Sequence, residues 1–80
     1  MQARVYVTLK KGVLDPQGKT IQRAIENLGH QGLLDVRQGK LFEVEVDNAL
    51  AREEAVRILN SVAQEILTNP VIETFRVEVE

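Results

Sequence analysis

The stretch Leu33-Leu34-Asp35-Val36-Arg37-Gln38-Gly39-Lys40-Leu41-Phe42-Glu43-Val44-Glu45-Val46-Asp47 decides how this chain is read. In its second half Phe42, Val44 and Val46 share one face while Glu43 and Glu45 share the other. That period of two belongs to a half-buried strand. Gly39-Lys40 sits between two alternating runs, and Gly at the first central position is the mark of a tight II′ turn. The stretch therefore predicts strands over 33–38 and 41–47, joined as a hairpin.

On the N-terminal side, Val5, Val7 and Leu9 alternate with Arg4, Tyr6, Thr8 and Lys10, predicting a strand over 3–10. Asp15-Pro16 follows, an N-cap acceptor and a residue whose missing N–H costs nothing at the first helical position. Ile21, Ala24, Ile25 and Leu28 then recur at the spacing of a helix lying on a sheet, and Gly29 is a natural stop. A helix over 16–28 is expected. On the C-terminal side, Asp47 or Asn48 is expected to cap a helix over 49–67, which Thr68-Asn69-Pro70 ends. A last strand over 71–79 points Phe75, Val77 and Val79 inward. The order β-α-β-β-α-β predicts one α+β domain over residues 1–80. Its class is the ferredoxin-like split βαβ, an antiparallel sheet with two helices on one face.

Composition narrows the function classes. The 80 residues include no Cys, which removes disulfides, thiol catalysis and thiolate metal sites. No apolar run exceeds three residues, against about 20 for a membrane helix, and no secretion leader is evident. A cytoplasmic chain with no membrane partner is the expectation. Net charge is −2, against general nucleic-acid affinity, yet residues 1–40 carry +4 and residues 41–80 carry −6. Such asymmetry suits self-association or two partners unless folding interleaves the halves. A chain this short buries only about 60–65% of its unfolded surface, so partner subunits are expected to add stability. The helix over 49–67 carries an apolar arc wider than one sheet-facing stripe, which one second surface or the covering loops would occupy.

The residues of catalysis are missing. His30 is the only His, in a loop, and Ser61 the only Ser, in mid-helix with no elbow around it. Glu43/Glu45 and Glu53/Glu54 have the spacing of solvated faces. The five glycines form no phosphate or dinucleotide loop. Tyr6 is the only outward aromatic on a strand, too few for a base-stacking sheet. The sequence thus calls for no catalytic residue, no cofactor and no metal. A dimeric ACT-like domain that binds a small regulatory molecule is one reading that nothing in this pattern excludes.

The run from Val5 to Gly18, with its core Gly12-Val13-Leu14-Asp15-Pro16-Gln17-Gly18, closely resembles the N-terminus of the PurS family. So do Leu28-Gly29, Val36-Arg37-Gln38-Gly39-Lys40 and Leu67-Thr68-Asn69-Pro70-Val71-Ile72-Glu73. The resemblance covers essentially the whole chain; residues 47–66 add little to it. It implies the small subunit of phosphoribosylformylglycinamidine synthase, an ATP- and glutamine-dependent ligase of purine biosynthesis (EC 6.3.5.3). The implied role is non-catalytic: a homodimer or tetramer that bridges a glutaminase and a synthetase subunit and assists ammonia transfer. Ammonia protonates in neutral water, so its passage gains from a water-excluding interface rather than from another catalytic side chain.

The loop at 10–18 is the expected contact surface. Lys10, Lys11, Val13, Leu14 and Gln17 are its candidate partner contacts, and Asp15 and Pro16 are explained as a helix cap. Val13 and Leu14 have a second explanation, that they seal the end of the core.

Overall fold

Strand β1, Gln2–Leu9, is the middle of the sheet, and its alternation separates the two faces. In the computed structural model, which describes residues 1–80, β1 is flanked on both sides by antiparallel neighbours. These are β2, Gly39–Glu45, and β3, Glu73–Val79, in the order β2-β1-β3. Val5 lies opposite Phe42 and Val77; Ala3 lies opposite Val44 and Val79; Val7 lies opposite Lys40 and Phe75. The register thus gathers the β-branched and aromatic residues on one face, which is what fixes it, since a one-residue slip would turn them all to water.

Helix α2, Arg52–Val62, covers that face together with the π-helical turn Ala63–Leu67. Leu59 packs with Ala3 and Val79, while Ala63 packs with Val5 and Val7. The small Ala55 and Ala63, both fully buried, let the helix approach the strands closely. Neither Asp47 nor Asn48 caps α2. Its N-cap is Ala51, with no side-chain bond. Asp47 instead accepts the Ala49 N–H at 2.9 Å in a turn, and Asn48 accepts from the N-terminal ammonium. Glu53 and Glu54 in the first turn favour the helix dipole in place of a cap. At the far end the Thr68 N–H and hydroxyl both donate to the Ala63 carbonyl, at 3.1 and 2.9 Å, and close the π turn.

The α+β class and the antiparallel sheet are as the sequence led us to expect. Two features differ. Residues 33–38 form no strand, and Gly39-Lys40 is not a turn: both belong to β2, paired with Thr8 and Val7. A Cβ on Gly39 would stand 2.6 Å from the Val7 carbonyl oxygen, so this glycine serves a close strand approach and not a hairpin. The chain before it is drawn away from the sheet, because the Gln38 N–H donates to Asp15 and the Val36 carbonyl lies against Gly18.

The second difference is helix α1, Pro16–Asn27, which stands off the sheet instead of lying on it. Ile21 is 40% exposed and Leu28 78% exposed, although their spacing is that of a core-facing stripe. The helix ends as expected at Gly29, at φ 93°. The Gly29 N–H donates to Glu26 and the His30 N–H to Ile25, a Schellman closure. With α1 standing off, the molecule measures 51 × 25 × 15 Å. Its radius of gyration is 16.0 Å, against roughly 12 Å for a compact chain of this length.

Candidate protein-docking site

Residues 10–38 leave the sheet after β1 and return to it at β2, forming an arm whose root is the 10–18 loop. Asp15 is the centre of that root and is 4% exposed. One carboxylate oxygen accepts the Gly18 N–H at 2.9 Å, the helix cap expected; the other accepts the Gln38 N–H at 2.8 Å. These two N–H groups, Gly18's first, and the nearby Arg37 guanidinium hold the Asp15 carboxyl below its ordinary value. Arg37 closes the other side. Its Nη2 donates to the carbonyls of Lys10 at 3.0 Å and Val13 at 2.9 Å. Gly18 is required by the same contact, because a Cβ there would sit 2.1 Å from the Val36 carbonyl oxygen. The Lys10 N–H donates to Ile72 at 2.8 Å and ties the root to the entry of β3.

The candidate residues decorate this root. Lys10, Lys11, Leu14, Pro16 and Gln17 are exposed and Val13 is half-buried. Leu14, at 70% exposure, does not seal the core. Gln17 borders a cleft of about 140 Å³ that it shares with Asp15, Gln38, Lys40 and Glu73. Lys40 and Glu73 approach to 3.5 Å across the end of the core face. Sequence reasoning did not place Gly18, Arg37 and Gln38 in this cluster. The signal for Arg37 and Gln38 was the separate block Val36–Lys40, whose meaning depends on contacts with residues more than 20 positions earlier.

A second apolar surface lies on α2 and the π-helical turn that continues it. Ile66 is 73% exposed, and Ile58 borders a groove of about 190 Å³ with Val44, Val46, Leu50, Ala55 and Leu59. The wide arc of this helix is therefore only partly used within the chain. On the opposite face of the sheet, Arg76 lies over the Tyr6 ring at 4.2 Å and pairs with Glu78, which accepts the Tyr6 hydroxyl. That carboxyl is held low by Arg76 first and then by Tyr6. The one outward aromatic is thus stacked on its own neighbour.

No group of three or more His, Cys, Asp or Glu side chains could hold a metal ion. Glu54 pairs with Arg57, and Ser61 is exposed on α2. No helix is long and apolar enough to cross a membrane.

The profile of the family described as PurS, phosphoribosylformylglycinamidine (FGAM) synthase, matches residues 2–80. The Mycobacterium leprae PurS subunit is 43% identical over 76 residues, 95% of this chain and 91% of the relative. The chain belongs to the PurS family. The Bacillus subtilis PurS subunit is 38% identical, with 99% of this chain and 92% of that one aligned. The Methanocaldococcus jannaschii PurS crystal structure superposes with a TM-score of 0.87 at 34% identity, covering 99% of this chain and 94% of its own. A chain of the Thermotoga maritima PurLQS structure superposes with a TM-score of 0.72 at 32% identity, covering 96% and 93%. As a PurS chain, the protein is a subunit of phosphoribosylformylglycinamidine synthase, in purine biosynthesis.

Proposed function

We propose that this PurS chain is a non-catalytic, self-associating bridge between the glutaminase and synthetase subunits of the enzyme. It assists ammonia transfer by holding two active sites in fixed relation across an interface that excludes water. The observation that carries this reading is the arm, whose apolar stripe does not pack on the sheet and leaves Ile21 and Leu28 exposed. The exposed surface is 5888 Å², whereas a compact chain of 9.0 kDa exposes about 4,900 Å². The excess is close to the roughly 800 Å² that each partner contributes to a stable interface. Charge supports association as well, because the arm, residues 10–38, carries five Lys/Arg against three Asp/Glu, whereas the rest of the chain carries five against nine. A second copy, giving a dimer or a tetramer, accounts for one apolar surface, and the catalytic subunits for the loop at 10–18. All of this takes place in the cytoplasm.

Reconstitution tests it. Glutamine-dependent amidotransfer by the mixed glutaminase and synthetase subunits should require this chain. The chain alone should neither hydrolyse glutamine nor consume ATP. Full glutamine-dependent activity without it, or steady turnover of either substrate by the purified chain, would refute the bridging reading.

A further inference from the structure

Asp15 and Arg37 do more than cap a helix. The Asp15 carboxylate joins two segments that are 20 residues apart, the start of α1 at Gly18 and the return chain at Gln38. Arg37 reaches back from the return chain to both ends of the 10–13 turn. Together the two side chains cross-link the outgoing and incoming halves of the arm at its root. Besides these, the Gln22 side chain donates to the Leu34 carbonyl at 3.1 Å farther along the arm and the Lys10 N–H donates to Ile72 at 2.8 Å at its root, while α1 has no substantial packing on the sheet. With no packing on the sheet, the arm as a whole swings unless its root is fixed in more than one direction.

We propose that Asp15 and Arg37 form a clasp that sets the direction in which the arm leaves the sheet, so that its apolar face is presented already oriented to a second copy of this chain. The clasp rests on charge and on bidentate geometry: one carboxylate accepts two backbone N–H groups, and one guanidinium nitrogen donates to two carbonyls. Preorganisation of this kind lowers the ordering cost paid on association. The oriented-presentation part rests on the bridging reading above; the clasp itself does not.

Asp15→Asn separates the clasp from the cap. Asn is as good an N-cap as Asp, but its amide nitrogen cannot accept from a second N–H. Amide exchange followed by NMR on the free chain should show at least tenfold faster exchange at Gln38 in Asp15→Asn, with Val5 and Val7 unchanged. Arg37→Ala should accelerate exchange by a similar factor at Val13, whose N–H donates at 3.0 Å to the Lys10 carbonyl that Arg37 also holds. Because the chain has no Cys, spin labels can be attached at His30→Cys and Thr74→Cys, diluted with unlabelled chain. The distance distribution between them should broaden in both clasp variants. Unchanged exchange at Gln38 and Val13 would overturn the clasp, and so would an unbroadened distribution. Loss of protection at Val5 and Val7 would also overturn it, because Asp15 would then support the sheet and not the arm. Partner assembly is not read in this experiment, so its failure leaves the bridging role untouched, and failure of reconstitution leaves the clasp untouched.

Discussion

At the scale of single residues, Gly18 and Asp15 carry the strongest constraints. The space for a side chain at Gly18 is filled by the Val36 carbonyl and by Asp15 itself, both under 3 Å from a built Cβ. Gly18→Ala should cost roughly 1–3 kcal/mol by overpacking, more than Ala returns in helix propensity. Urea melts would check this, and a stabilised variant would contradict it. Asp15 adds a pH dependence of known sign. Its folded pKa lies below the ordinary 3.8, lowered by the Gly18 and Gln38 N–H groups and by Arg37. Its contribution is therefore complete above 3.8 and is lost as pH falls through the lower folded value. Glu54 and Glu78 are lowered too, but they are present in both wild type and Asp15→Asn and cancel in the difference. The stability gap between the two chains should hold from about pH 7 to pH 5 and shrink towards pH 3. A gap constant down to pH 3 would contradict it. Lys10 and Lys11 are exposed and make no ion pair within the chain. Lys10→Glu, Lys11→Glu should fold normally and bind the catalytic subunits more weakly at low salt; unchanged affinity would remove this loop from the docking surface.

Among the elements, the two helices are treated differently by the sheet. Leu59 of α2 is 5% exposed and touches strands on the core face, while Ile66 a short way along is 73% exposed. Leu59→Ala should cost about 2–5 kcal/mol, a large share of the few to roughly 12 kcal/mol that 80 residues provide. Ile66→Lys should change stability by no more than about 0.5 kcal/mol. Denaturant midpoints of the two variants would check the contrast, and comparable losses would contradict it. The same contrast explains what the sequence did and did not reveal. The strands at 2–9, 39–45 and 73–79 were legible because each buries one face, and burial enforces a period of two. Helix α1 was legible as a helix because Asp15, Pro16 and Gly29 act locally. Its docking was not, because Ile21, Ala24, Ile25 and Leu28 have the same spacing whether the surface they meet belongs to this chain or to another. The false hairpin has a related cause. The neighbours of Gly39 along the chain predict a turn, but its reason is the Val7 carbonyl across the ladder.

For the whole molecule, shape and stability are one problem. Only nine of 80 residues are buried, and the largest fully buried side chains are Val5 and Val7. A core this thin gains from association, and mass action then makes apparent stability rise with protein concentration. The apolar stripe of α1 is the surface to perturb, because Ile21 and Leu28 are exposed and neither takes part in the core clusters. Ile21→Glu, Leu28→Glu keeps two helix-compatible residues in place and removes only the apolar character of that stripe. In light scattering at micromolar concentration, the wild-type chain should have at least twice the 9.0 kDa of one copy. The double variant should fall towards the mass of one copy, with its strand and helix circular dichroism retained and a melting temperature no longer raised by concentration. High salt should not restore association, since the contact is apolar and not ionic. A wild type that is monomeric under these conditions, or a variant of unaltered mass, would mean that the α1 stripe faces a catalytic subunit and not a second copy. The groove beside Ile58 would then be the remaining surface for self-association.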